Sequence, residues 1–346
     1  MVAPTGRAWP ASLPRFADAV LRGFSQVMLQ DNPLTGLLFL LGVCVGDWVC
    51  GLYALLGTAV ATATASLFGA PRDAVGRGLY GFNGTLIGIA LASFLRHDPL
   101  LPAYVVVASA FAAVATPAVK NVLGAQGHAL TAPFVFTTWF FVAARLDRTH
   151  PGGAPALGVA QPPADAAALG LADAAAGVSN GLAQVMLQHG VWTGAIFLVA
   201  LAVASRTACA AAVLGSALGL GVAWMSGATP DAVRDGLYGF NAALTAIALG
   251  GTFYRLDRAS AALAALAACV STVVYAALDA TLGRAGLPVL TAPFVVTTWL
   301  CLLAEPALTR LRTPPPASVR APDGEPDASR RPGQDPAQGG PRWPER

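Results

Sequence analysis

Six uncharged polar side chains stand at matched positions inside otherwise apolar stretches: Gln26 and Gln184, Asn83 and Asn241, Thr131 and Thr291. An amide or hydroxyl left unpaired in an apolar medium costs roughly 1–3 kcal/mol. Each of the six must therefore meet another polar group or a path that water can reach. Hydrogen bonding between helices answers the first need, and lining a passage for a small polar solute answers the second. Thr131 and Thr291 are each followed by Ala-Pro, and proline removes a backbone N–H and frees a carbonyl one turn earlier. TAPF thus reads as a broken helix whose loose oxygens face a pore, because irregular backbone survives in a membrane only where protein covers it or it lines a cavity. Asn83 and Asn241, directly after Gly-Phe, serve equally well as structural ties. Phe82 and Phe240 read either as core packing or as the walls of a flat slot that excludes hydrated ions and passes a planar molecule. Tyr80 and Tyr238 read as packing or interface anchors.

Catalytic chemistry has no foothold in the chain. It contains no HExxH, no CxxC, no glycine-rich phosphate loop before a lysine, and no Ser, His and Asp set at catalytic spacing. His97, His128, His150 and His189 fall in loops or at segment ends, and Asp47, Asp279 and Glu305 lie near helix ends. Ion-driven transporters keep ionisable groups deep in the membrane, and none is evident, so the expected conduction is passive. The five cysteines are odd in number, lie in or beside apolar runs and lack ligand spacing. The chain therefore reads as neither an enzyme nor a metal or cofactor protein, and no nucleic-acid partner is expected.

The elements that must hold these side chains are membrane helices. Of 346 residues, 55% are apolar and 11% charged, against roughly 25% charged in a soluble domain. The first twenty residues do not read as a cleaved signal peptide. Three motifs recur: SQVMLQDNPLTG as AQVMLQHGVWTG, DAVGRGLYGFNGTLIGIAL as DAVRDGLYGFNAALTAIAL, and LTAPFVFTTW as LTAPFVVTTW. The first two pairs are offset by 158 residues and the third by 160, which marks a duplicated unit. The expected organisation is an N-terminal tail (1–17), a first repeat (18–148), a Pro/Gly/Ala linker (149–168), a second repeat (169–306) and a disordered C-terminal tail (307–346). Each repeat carries one short apolar stretch, ending at Asp31-Asn32-Pro33 or His189-Gly190, and five longer ones. The fold class is an all-α polytopic membrane protein of about five crossings plus one half-membrane helix per repeat. An odd number of crossings inverts the second copy relative to the first.

With both termini in the cytoplasm, that side holds 16 of the 21 basic residues, leaving Arg96, Arg145, Arg148, Arg234 and Arg284 on the other. This accords with the positive-inside rule and predicts an integral protein of the cell (inner) membrane, with the lipid bilayer as its solvent.

The paired QVMLQ, LYGFN and LTAPF motifs, twice in the same order and spacing from about residue 20 to 305, resemble the urea transporters, the passive urea channels of bacteria and animals. The resemblance implies a two-fold inverted repeat, one pore per subunit, a homotrimer, and urea as the permeant. It implies Thr131 and Thr291 at the constricted centre, with Gln26 and Gln184 offering oxygens at two flanking sites. Phe82 and Phe240 would wall the slot, joined by Val27, Leu29, Val185 and Leu187 in its apolar lining. Gln at both paired positions, where some relatives have an acid, and Leu29 and Leu187, where an aromatic residue can stand, bear on selectivity. Urea is planar, with four N–H donors and a carbonyl acceptor, so a row of oxygens can replace its water while binding stays weak enough for release. The alternative permeants are another short amide, ammonia or water. An aquaporin would carry Asn-Pro-Ala in each half, and an ammonia channel would place histidines in its pore.

Overall fold

The computed structural model describes residues 12–124, 127–144 and 170–313. The linker expected at 149–168, and most of both expected tails, lie outside them.

The first half runs α1 (Leu13–Gln26), α2 (Pro33–Gly46), α3 (Trp48–Leu67), the single turn α4 (Arg72–Gly76), α5 (Gly81–Phe94), α6 (Leu101–Leu123) and α7 (Ala132–Ala143). The second runs in the same order through α8 (Leu171–Gln184), α9 (Val191–Ala204), α10 (Arg206–Met225), α11 (Pro230–Arg234), α12 (Gly239–Ile247), α13 (Arg258–Leu282) and α14 (Ala292–Leu303). Among the described residues four helices are long and apolar enough to cross a membrane alone: α3, α6, α10 and α13 with its extension to Ala285. The apolar helices α2, α5, α7, α9 and α14 run to 10–17 residues, short of a full crossing on their own. α5, with 14 residues, is about 21 Å long at 1.5 Å per residue.

Local chemistry explains where these helices start. Asn32 accepts hydrogen bonds from the N–H groups of Leu34 and Thr35 at 2.9 and 3.2 Å, with Pro33 at the first helical position. Asp47 accepts from Val49 at 2.8 Å, and Asp257 from Ala259 and Ser260 at 2.9 Å each. These caps satisfy amides that have no intrahelical partner.

Large apolar side chains lie on the surface as well as in the core. Leu37, Leu41, Leu52, Val107, Phe111, Leu214, Leu266 and Val273 are exposed, whereas Thr58, Thr85, Asn83, Ser109, Thr245 and Ser271 are buried. That distribution suits a solvent of lipid, in which polar groups find partners only inside the bundle. Small residues let the backbones approach. A Cβ on Gly57 of α3 would land on the carbonyl oxygen of Gly84 in α5, and one on Gly84 would land on that of Gly57.

The halves meet through reciprocal contacts. Trp139 Nε1 donates to the carbonyl of Pro288 at 2.8 Å, and Trp299 Nε1 donates to that of His128 at 2.8 Å. Phe39 of α2 and Phe197 of α9 stack edge to face at 5.1 Å. Exchange of equivalent bonds is what a two-fold relation between the halves requires.

Candidate functional site

The site grows from two interrupted segments per half. After Gln26, α1 closes in one tight turn in which Leu29 N–H bonds Gln26 O and Gln30 N–H bonds Ser25 O, each at 3.0 Å. Leu29 sits at φ 60°. The second half repeats the turn, with Leu187 at φ 53° and its N–H bonding Gln184 O at 2.9 Å. Left-handed backbone costs an L-residue about 1–2 kcal/mol, so surrounding structure must hold it. Gln30 Nε2 does so by donating to Met28 O at 2.8 Å, and Gln188 Nε2 by donating to Met186 O at 3.3 Å. Sequence reasoning passed over Gln30 and Gln188, although both close the repeated QVMLQ.

The second interruption is at TAPF, where the structure corrects the expected broken helix. Thr131 and Thr291 are the N-caps of α7 and α14, and Pro133 and Pro293 stand in the first turn, where a missing N–H costs nothing. The remaining orphan donors are satisfied. Phe134 N–H donates to Asn83 Oδ1 and Phe294 N–H to Asn241 Oδ1, each at 3.1 Å. The same asparagines donate through Nδ2 to Leu130 O at 3.4 Å and Leu290 O at 3.2 Å. The asparagines are thus ties between α5 and α7 and between α12 and α14. Leu130 and Leu290 also have positive φ, at 48° and 55°.

These two helix starts bring the threonines together. Thr131 Oγ1 and Thr291 Oγ1 lie 2.7 Å apart, hydrogen-bonded across 160 residues of sequence, and each residue is 2% exposed. The N-termini of α7 and α14 therefore converge on one point. Each carries a partial positive charge from its aligned peptide dipoles.

The glutamines have their amide nitrogens occupied. Gln26 Nε2 donates to Arg77 O at 2.9 Å. Gln184 Nε2 donates to Asp235 O at 3.4 Å and lies 3.0 Å from His189 Nδ1. Among the described residues neither Oε1 takes a hydrogen bond, which leaves a carbonyl oxygen available on each glutamine.

Of the remaining expected site residues, Val185, Leu187 and Phe240 join Gln184 and Thr291 around one cavity of about 340 Å³. Phe240 packs edge to face on Tyr275 at 5.6 Å. Phe82 and Phe240 keep 8% and 7% of their surface. Leu29 is half-buried, whereas Val27 is packed into the core at 1% exposure and does not border that cavity. Four further threonines, Thr137, Thr138, Thr297 and Thr298, bury hydroxyls without a hydrogen-bond partner among the described residues. Their repetition in the TTW of both halves was the signal that could have singled them out. No group of His, Cys, Asp and Glu among the described residues could hold a metal ion.

The family described as "Urea transporter" matches residues 17–306 of the chain. Urea transporter 1 of Ovis aries is 32% identical over 298 residues, covering 84% of this chain and 77% of that protein. Urea transporter 1 of Rattus norvegicus is 32% identical over 300 residues and that of Mus musculus 31% over 296, with the same shares covered.

Proposed function

The chain belongs to the urea transporter family, a family of membrane transporters and not of enzymes, and we propose that it conducts urea passively through the constriction where Thr131 and Thr291 meet. The observation that carries this reading is the hydroxyl pair at 2.7 Å, buried at the point where two helix starts from the two halves converge.

Urea arriving from either side loses water and needs oxygens in its place. Oε1 of Gln26 or Gln184 accepts one of its N–H groups, and the phenylalanine faces hold the plane of the molecule. At the centre the threonine hydroxyls exchange their mutual hydrogen bond for bonds to urea, each offering a donor and acceptor lone pairs. One satisfied arrangement replaces another, so the site is neither orphaned when empty nor strongly retentive when filled. A cation gains nothing comparable. Its dehydration is costly, the threonine pair itself carries no charge, and the two helix N-termini add positive potential there. The path needs no gradient of protons or sodium.

The finer features of this reading belong with it: a first repeat at 18–148 and a second at 169–306, inverted in the membrane, with the threonine pair as selectivity filter on their pseudo-two-fold axis. Both termini are cytoplasmic, in an inner membrane, as the arginine bias supports. The exposed apolar faces of α2, α3, α6 and α13 serve lipid and the contacts of a homotrimer with one pore per subunit. Stopped-flow urea uptake in proteoliposomes tests the function. We expect uptake faster than in protein-free liposomes and indifferent to proton and sodium gradients; flux equal to that of empty liposomes overturns it.

A further inference from the structure

The aspartates of the described residues mostly have evident work. Asp47 and Asp257 cap helices, Asp18 and Asp31 pair with Arg22 and Arg77, and Asp173 and Asp231 pair with Arg234. Asp279 differs. It lies on α13, half-buried, in the wall of the 340 Å³ cavity that leads to Thr291. Among the described residues it makes no ion pair or hydrogen bond. The same cavity is lined by Gln184, whose Oε1 is open, by the ring of Phe240 and, one turn before Asp279 on α13, by that of Tyr275.

A lone carboxylate beside aromatic faces and an amide oxygen is a receptor for a small planar cation with N–H donors. From this we infer that the second-half mouth of the pore is a binding site for guanidinium-type cations, which plug the channel from that side. The inference rests on the urea reading, because it takes this cavity to be a vestibule of the path. Guanidinium is planar and close to urea in size, with a third nitrogen where urea has its oxygen. It fits wherever urea fits in the vestibule, with Asp279 taking two of its N–H groups and Gln184 Oε1 another. It cannot follow urea further, since every group at the threonine pair is neutral and the converging helix starts repel it.

The other mouth lacks the site. The residues 158 and 160 positions before Asp279 are Asn121 and Val119, and the carboxylate of Asp31 has both oxygens already held, by Arg22 at 2.5 Å and Arg77 at 2.9 Å. Blockade is therefore one-sided, acting from the membrane face opposite the termini in the orientation proposed above.

The test is urea flux through the full chain in proteoliposomes with guanidinium chloride added, choline chloride controlling for ionic strength, and each inhibition expressed relative to the same variant's own flux. Guanidinium should slow urea in the wild type. Asp279→Asn should move half-inhibition to concentrations roughly ten-fold higher or more, the scale of one hydrogen-bonded charge pair, and Asp279→Glu should retain most of the block. Urea flux that guanidinium leaves unchanged, or a block that Asp279→Asn does not weaken, overturns the inference while leaving the urea reading intact. Absence of urea flux in the wild type overturns the urea reading itself.

Discussion

The two mouths of the candidate pore share a backbone and differ in nearly every charge around it. On the first, Arg22, Asp31 and Arg77 form a continuous ion-pair cluster. At the matching positions, 158 residues on, the second has Asn180, His189 and Asp235, and there Asn180 donates to Arg234 O at 2.7 Å. Both mouths nevertheless hold their glutamine by its Nε2 on a backbone carbonyl, that of Arg77 or of Asp235. Both follow it with a left-handed leucine. What the two halves share is the set of bonds made to the backbone beside each glutamine. The side chains around them differ and so give each end of the candidate path its own chemistry.

The sharpest way to break this contrast is at the shared centre. Thr131→Val and Thr291→Val each leave the opposite hydroxyl without its partner, and each should slow urea flux about ten-fold, given the 1–3 kcal/mol cost of an unpaired buried group. Equal effects are expected from the two, with intact protein by size-exclusion chromatography. A large effect from one and none from the other would mean that the centre is not shared.

Packing offers a second comparison. Gly84 has Ala242 as its counterpart, so the α10–α12 crossing already carries that methyl, and it is the looser of the two: a Cβ on Gly215 would clash with the Ala242 carbonyl oxygen at 2.6 Å, whereas one on Gly57 would come closer still to that of Gly84. In the first half a Cβ at Gly84 overlaps the Gly57 carbonyl. Gly84→Ala should therefore destabilise the protein by about 1–3 kcal/mol, as overpacking does, whereas Ala242→Gly should cost less. Thermal melts in detergent decide this, and equal melting shifts would remove the claimed difference in fit.

The smallest effect belongs to the rims. His189 Nδ1 takes a hydrogen bond from Gln184 Nε2 at 3.0 Å, whereas the matching residue beside Gln26 is Asp31, committed to Arg22 and Arg77. His189→Ala should therefore loosen the Gln184 amide and slow urea flux by a factor of about two to three in stopped-flow uptake, on the scale of one neutral hydrogen bond. Flux unchanged by His189→Ala would mean that the Asp235 carbonyl alone holds that amide.

Much of this architecture was legible in the residues. Repetition exposed the two halves, low charge exposed the membrane, and the recurrence of Gln26, Thr131 and their partners marked the polar positions. Three features were not legible, each for a physical reason. Proline is acceptable in the first turn of a helix and disruptive inside one, and an apolar run does not say where the helix begins. TAPF therefore read as a break when it is a start. Leucine is not a residue that announces positive φ, so the turns at Leu29 and Leu187 were hidden until the bonds from Gln30 and Gln188 were seen. Asn83 and Asn241 carry the same side chain whether they line a path or cap a helix, and only the bonds to Phe134 and Phe294 decide between them.

The exchanged tryptophan bonds, Trp139 to Pro288 and Trp299 to His128, also speak to history. Neither half supplies a partner for its own indole there, so a chain of half this length would have had to meet a second copy of itself to complete the passage. Such an ancestor would have assembled only as fast as its copies encountered one another in the membrane. Fusion turned that encounter into an intramolecular event with a high effective concentration. It also released the two copies from having to be identical, which is the condition under which one rim can carry Arg22 and Arg77 where the other carries Asn180 and Asp235.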